Sequence, residues 1–235
     1  MTYSSAIFSD QHDQLELAQI NKYKKLADLS DIKNGDKILE IGCGWGGFSE
    51  FLGNNYDCEI TAITISKEQF NFTNKRIKEA NLSKKVKVLF CDYRNIEGKF
   101  DKIVSIEMFE AVGKDYWNVF FNKIESILNP NGNIGLQLIT IDDKIYDVYK
   151  NNPDFIQKYI FPGGMLPSFK ILENIINNNS LHIENVNSYA NDYAKTLSLW
   201  KQEFNKNWKN IEKLGFDETF NLMWNYYLSY CEGGF

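Results

Sequence analysis

The chain has 235 residues and a formal net charge of -5, with 43% hydrophobic and 24% charged side chains. This balance excludes a disordered chain and a collagen-like or coiled-coil array, and it predicts one globular domain. The negative charge argues against a nucleic-acid partner, because phosphate binding requires a surplus of Lys and Arg. No window approaches the roughly 20 apolar residues of a spanning helix, and the start shows no signal-peptide pattern, so neither a membrane span nor export is expected.

Four cysteines are present at positions 43, 58, 91 and 231, without a CxxC spacing. They stand in or beside apolar runs, which predicts buried reduced thiols rather than disulfides or zinc ligands. No metal site is expected, and reduced thiols indicate a cytoplasmic location.

In chain order, residues 13–29 predict an amphipathic helix, and Asn34-Gly35 predicts the turn that follows it. Strands and helices then alternate, which predicts a parallel, doubly wound α/β sheet of the Rossmann-like type. The predicted strands are 37–41, 58–64, 86–91, 101–106 and 133–140, and the predicted helices are 46–54, 66–80 and 115–128.

After the sheet the alternation ends. Residues 141–180 predict helices and a turn-rich insertion, and residues 181–188 predict another strand. The stretch 192–231 has two helical patterns rich in aromatic residues. Gly215 is predicted to end the first of them and Asp217 to cap the second.

The sharpest motif is ILEIGCGWGG at residues 38–47, where a strand runs into a glycine-rich turn and a helix. Glycine permits the tight turn and the close approach of a ligand to the backbone, so a nucleoside cofactor is predicted here. The same glycines satisfy GxGxxG, which leaves a dinucleotide site open. Such a site calls for an acidic residue after the second strand, where this chain has Ala62-Ile63-Thr64.

Glu40, at the end of the first strand, fits the cationic amino-acid end of S-adenosylmethionine. The alternative is a solvated strand-end carboxylate beside an ordinary tight turn. Asp92 follows the third strand, where it is placed to accept from an adenine amino group, and Tyr93 is placed to pack on the ring. For Asp92 the alternative is a loop or helix-capping residue.

Together, eight segments resemble the cyclopropane-fatty-acid synthase and mycolic-acid methyltransferase family, in the family's order and over nearly the whole chain. They are MTYSSAIF at 1–8, LEIGCGWGG at 39–47, ITISKEQ at 63–69, CDYR at 91–94, VSIEMFEAVG at 104–113, YIFPGGMLPS at 159–168, DYAKTLSLW at 192–200 and YYLSYCEGGF at 226–235. The resemblance implies an S-adenosylmethionine-dependent C-methyltransferase that acts on the double bond of an unsaturated fatty acyl chain.

The resemblance also implies a single domain with a class I methyltransferase sheet and a helical cap. Residues 1–30 would be an N-terminal helical segment and 31–140 the cofactor core, while 141–180 and 191–231 would cover the substrate. The acceptor would be a phospholipid or a carrier-bound acyl chain, with peripheral contact at the inner membrane face.

Residue by residue, the family's cofactor contacts carry over to Tyr3, Ser4, Glu40, Gly42, Gly44, Thr64, Ile65, Gln69, Asp92, Tyr93 and Ile106. Glu110 and Tyr193 match the glutamate and tyrosine that hold a bicarbonate ion, which serves the family as the base for ring closure. Ser5 is the third catalytic candidate, standing where many members have cysteine.

The sequence departs from the family at three further positions near the matched bicarbonate site. Ile139 stands where synthases have a histidine, and Glu107 and Ala111 replace their usual glycine and histidine. Isoleucine has no side-chain donor, so an anion site would be weakened. The alternative product is therefore a methyl-branched or methylene-bearing chain without a ring, and Glu107 is a carboxylate without an assigned role.

Family members begin earlier and continue past CEGGF, so a final strand is expected to be missing from this sequence. A truncated homologue that binds the cofactor with little activity is therefore a second hypothesis. A nicotinamide-dependent dehydrogenase is the third.

Overall fold

The computed structural model describes residues 2–9 and 14–235. They divide into two compact units, the first holding the start of the chain to Ser4 together with Tyr23–Asn185. The second holds Ser5–Lys22 and Val186–Phe235. The predicted first helix is present as α1 (Leu15–Leu29), whereas Asp13, where the prediction began, lies outside the described residues.

The first unit is built on five parallel strands in the order β3-β2-β1-β4-β5. Their bounds are β1 Lys37–Ile41, β2 Glu59–Thr64, β3 Val86–Phe90, β4 Phe100–Ile106 and β5 Leu128–Gln137. The predicted parallel, doubly wound sheet is thus confirmed. Strand order reverses between β1 and β4, which creates a crevice at the carboxyl ends of the strands.

Helices of the first unit cover both faces of the sheet. They are α2 Gly47–Asn55, α3 Lys67–Glu79, α4 Trp117–Ile127, α5 Tyr146–Tyr149 and α6 Phe169–Asn177, with a π-helical turn at Ile156–Ile160. Successive strand residues point to opposite faces, so Ile38 joins the cluster under α2 and α3 while Leu39 joins the cluster under α4. Because both faces are covered, β1 to β4 carry buried or half-buried apolar side chains on both faces.

The second unit contains α7 Ala190–Lys206, α8 Trp208–Glu212 and α9 Glu218–Glu232. The first of the two helices predicted for residues 192–231 is therefore interrupted at Asn207. The predicted break at Gly215 is present, with a φ of 98° after the end of α8. The predicted cap is also present, because the Asp217 carboxylate accepts a 2.9 Å hydrogen bond from the Phe220 N–H. Aromatic side chains pack α7 against α9, with the Phe204 ring 6.3 Å from that of Phe220.

Two predictions about strands need correction. Residues 181–188 form no strand, since no described strand runs beside them and a lone strand leaves its backbone polar groups unpaired. The fifth strand begins at Leu128, five residues before the predicted start, and a register irregularity with β4 accommodates the Asn-Pro-Asn-Gly sequence. That strand also ends three residues before its predicted end, and the remaining boundaries of the sheet strands and of the helices at 46–54, 66–80 and 115–128 differ from prediction by at most two residues.

All four cysteines are free thiols, two of them buried and two half-buried. In the described ranges no helix is both long and apolar enough to cross a membrane.

Candidate active site

A cavity of about 700 Å³ opens at the crevice of the first unit. Every position matched to a cofactor contact lines it: Tyr3, Ser4, Glu40, Gly42, Gly44, Thr64, Ile65, Gln69, Asp92, Tyr93 and Ile106. Apart from Tyr3 and Ser4 at the start of the chain and Gln69 of α3, these residues lie at or just after the ends of β1, β2, β3 and β4, so the sheet topology brings them together.

The glycine-rich turn after β1 lines this cavity. Gly42 has a φ of 78°, and a Cβ at this position would lie 2.5 Å from Met108 Cγ, so no larger residue fits. Gly44 has a φ of 53°, and a Cβ there would meet nothing within 4 Å, so it faces open space. The N–H groups of Gly42 and Cys43 both donate to the carbonyl of Ile63, which ties the turn to β2.

Glu40 is only 2% exposed, and the Ser49 hydroxyl of α2 donates to its Oε2 atom. It is therefore not a solvated strand-end carboxylate. A buried carboxylate needs compensation by hydrogen bonds or a cation, and this one lies in the cavity wall. Burial and then the charge of Glu40 raise the pKa of the neighbouring Cys43 thiol to about 12.

At the end of β2 a hydroxyl and an amide replace the acidic residue of a dinucleotide site. The Thr64 hydroxyl donates to Gln69 Oε1 at 2.8 Å, and the Ser66 hydroxyl caps α3 by accepting from the Gln69 N–H. Ile65, which lies between Thr64 and Ser66 in the sequence, is 71% exposed. Neutral polar groups beside an apolar side chain suit a ribose and the edge of a base.

Asp92 caps a 3-10 turn and is fixed by Arg94. The Arg94 Nη2 lies 2.6 Å from Asp92 Oδ2, and the backbone N–H and Nε of Arg94 both donate to Oδ1. These hydrogen bonds hold the pKa of the Asp92 carboxyl below its usual range. The capping alternative therefore describes Asp92 correctly, and the carboxylate still forms part of the cavity wall.

Two carboxylates follow β4. Glu107 lines the cavity, and its Oε1 accepts a 2.8 Å hydrogen bond from Gln137 Nε2 of β5. The Glu110 Oε1 accepts from the Ile139 N–H at 2.6 Å, while its buried Oε2 has no hydrogen-bond partner in the described part of the chain. Burial, and then the charge of Glu107, raise the pKa of Glu110 to about 7.

The other two catalytic candidates belong to the second unit. The Ser5 hydroxyl is buried and donates to the Ala6 carbonyl at 3.0 Å. The Tyr193 ring stacks on that of Phe235, with centroids 4.0 Å apart. The residue after Ser5 contacts α7, since the Ala6 N–H donates to the Thr196 hydroxyl.

Three residues of the site have no recognisable role in the sequence alone. Ser49 reaches Glu40 from α2, and Gln137 reaches Glu107 from β5. Arg94 is only two residues from Asp92, but either residue alone is typical of a solvated loop.

Residues 1–235 match the family model described as mycolic acid cyclopropane synthetase. The chain belongs to this family. Its members are S-adenosylmethionine-dependent methyltransferases.

Several curated relatives match the whole chain. Tuberculostearic acid methyltransferase UfaA1 of Mycobacterium tuberculosis is 37% identical over 243 residues, which cover 100% of this chain and 57% of that protein. Cyclopropane-fatty-acyl-phospholipid synthase of Escherichia coli is 36% identical over 237 residues, which cover 100% of this chain and 59% of that protein. The chain thus spans less than two thirds of the length of either relative.

Solved structures agree on the fold. Cyclopropane synthase MmaA2 from Mycobacterium tuberculosis has a TM-score of 0.91 at 29% identity, covering 99% of this chain and 84% of that one. Mycolic acid cyclopropane synthase CmaA1 complexed with SAH and CTAB has a TM-score of 0.89 at 28% identity, with the same coverage. The sheet is therefore that of class I methyltransferases.

Proposed function

We propose that this chain transfers a methyl group from S-adenosylmethionine to a double bond of an unsaturated fatty acyl chain. The observation that carries the proposal is the cavity at the strand-order reversal, which combines the glycine-rich turn with the buried carboxylate of Glu40. Membership of the family and the resemblance to a synthase solved with SAH support the same cofactor.

The cavity suits this cofactor in charge and shape. Glu40 would hold the cationic amino-acid end, because a buried carboxylate gains most from a charged donor. Gly44 leaves open space where a side chain would obstruct a ligand. Thr64 and Gln69 would hold the ribose, while Asp92 and Tyr93 would hold the adenine. When bound, the cofactor supplies an electrophilic methyl group.

The acceptor is proposed from the relatives, whose names specify fatty-acyl phospholipid and tuberculostearic acid. An alkene is a weak nucleophile, and its methylation leaves a positive charge on the acyl chain. Aromatic faces and carboxylates in a closed site stabilise such a charge. Tyr93, Tyr116 and Glu107 line the cavity and supply both kinds of group. A phospholipid acceptor would bring the chain to the surface of a membrane.

The residues beside Glu110 do not fit a bound bicarbonate ion. Ile139 contributes only a backbone N–H, which already donates to Glu110. Glu107 is close enough to raise the pKa of Glu110, so a further anion would be placed beside like charge. No proton transfer through bicarbonate is therefore included in the mechanism. Ser5 and Tyr193 remain proposed contributors to proton removal, tested by S5A and Y193F.

The proposal is tested in two steps with the purified full chain. Calorimetry should show binding of S-adenosylhomocysteine and none of NAD, since a dinucleotide site lacks its acidic residue here. Incubation with labelled S-adenosylmethionine and vesicles of unsaturated phospholipid should then give a labelled lipid.

NMR of that lipid separates a cyclopropane from a methyl or methylene branch, which have related masses. Affinity for NAD alone would overturn the cofactor assignment. Binding of S-adenosylhomocysteine without any labelled lipid would favour the cofactor-binding homologue with little activity.

A further inference from the structure

Glu107 has a backbone conformation that costs free energy for residues other than glycine. Its φ is 46°, in the left-handed region, where the Cβ atom crowds the backbone. Strain at a cavity wall persists only where the surrounding structure enforces it, and it is common at functional sites. A glutamate at this position is therefore the feature to explain.

The structure holds this side chain firmly at the edge of the sheet. The Glu107 N–H donates to the Gln137 carbonyl at 2.7 Å, and the Gln137 side-chain amide donates to Glu107 Oε1 at 2.8 Å. One residue of β5 thus fixes both the backbone and the carboxylate. A base held in this way is already oriented before a substrate arrives.

Glu107 and Glu110 differ in their access to the cavity. The Glu110 Oε2 is buried without a hydrogen-bond partner in the described ranges, and burial and then the charge of Glu107 raise the pKa of Glu110 to about 7. Glu107 lines the cavity, and its Oε1 accepts a hydrogen bond from the Gln137 side-chain amide. Of the two carboxylates, Glu107 is therefore the one placed on the cavity wall.

We infer, resting on the function proposed above, that Glu107 is the catalytic base that removes the proton from the methylated acyl chain. The alkene electron pair forms the new C–CH₃ bond as the S–CH₃ bond breaks, which leaves a carbocation. Glu107 takes a proton from the added methyl group. The electron pair of that C–H bond closes a cyclopropane or, after a 1,2-hydride shift, forms a methylene double bond. A carboxylate of the chain thus takes the place of a bound inorganic anion.

The test compares the full-length parent with E107Q, E107G and E97Q in buffer depleted of bicarbonate. E107Q keeps a hydrogen-bond acceptor for Gln137 but has no basicity, and E97Q removes an exposed carboxylate outside the cavity wall. Product formation should fall by about 10²–10⁴-fold in E107Q and remain unchanged in E97Q. Bicarbonate should not restore E107Q, whereas formate should partly restore E107G by supplying a carboxylate.

Two readouts are independent of turnover. The infrared band of protonated Glu110 should disappear at lower pH in E107Q than in the parent, because the repelling charge is gone. All variants should bind S-adenosylhomocysteine with an affinity within about threefold of the parent if the carboxylate acts on the acyl chain.

The outcomes separate the inference from the proposed function. A parent that needs bicarbonate, or an E107Q variant as fast as the parent, would overturn the role of Glu107 and leave acyl methylation standing. A parent that binds S-adenosylhomocysteine but labels no lipid would overturn both.

Discussion

Glu110 is expected to make the stability of the fold depend on pH. Burial and the charge of Glu107 raise its pKa from 4.5 to about 7, so the folded chain keeps a proton that the unfolded chain releases. The stabilisation is fully present below the unfolded pKa and is lost as the pH rises through the folded pKa. Relative to E110Q, the unfolding free energy of the parent should fall by about 3 kcal/mol from about pH 4 to about pH 8.

Urea unfolding at a series of pH values measures this difference. The variant E97Q, with an exposed carboxylate removed, controls for the loss of an acid from the surface. A difference between parent and E110Q that is constant over the whole range would show that the Glu110 carboxyl is solvated.

The turn between β1 and α2 should not tolerate a side chain at Gly44, where the ligand is proposed to approach the backbone. Gly44 and Gly98 both have a positive φ, and a Cβ at either would meet nothing within 4 Å, but only Gly44 lines the cavity. Alanine should therefore cost the protein about 1–2 kcal/mol of stability at Gly44 and at least as much at Gly98, whose φ of 106° lies beyond the left-handed helical region. Only G44A should also bind S-adenosylhomocysteine at least about tenfold more weakly, a loss of about 1.4 kcal/mol.

Calorimetry on the two variants gives the answer, with G98A as the matched control. Equal affinities in G44A and G98A would show that the ligand does not approach the turn.

The start of α9 offers a separate prediction about the second unit. The Asp217 carboxylate accepts from the Phe220 N–H and satisfies one of the unpaired donors of the first turn. D217A should lower the free energy of unfolding by about 1 kcal/mol, whereas D217N should be nearly neutral because asparagine caps as well as aspartate. Thermal unfolding distinguishes the two variants, and equal destabilisation by both would mean that charge, not capping, matters here.

Across the whole molecule, the sequence predicted what depends on local pattern. Alternating apolar strands and helices gave the parallel sheet, and glycine after Leu39-Glu40 gave the place of the turn. The prediction of a strand at 181–188 was wrong because a strand needs a neighbouring strand to pair with, and the sequence pattern does not show whether one is present.

The finer details of the candidate site were not predictable for the same reason. The hydrogen bond from Gln137 of β5 to Glu107, which follows β4, joins residues 30 positions apart, and the φ of Glu107 has no signature in its neighbours. The positions matched to the cofactor were available because the resemblance extends along the entire chain. Their roles remain proposals.

Cys43 lines the cavity proposed to bind S-adenosylmethionine, which is an alkylating agent, so the reactivity of its thiol matters. Its sulfur lies within the glycine-rich turn, where burial and the charge of Glu40 hold the thiol pKa at about 12. At neutral pH only about one molecule in 10⁵ carries the thiolate, which is the nucleophilic form. The carboxylate proposed to attract the sulfonium donor thus adds to the effect of burial in keeping this cavity-lining thiol protonated, which protects it from methylation by the donor.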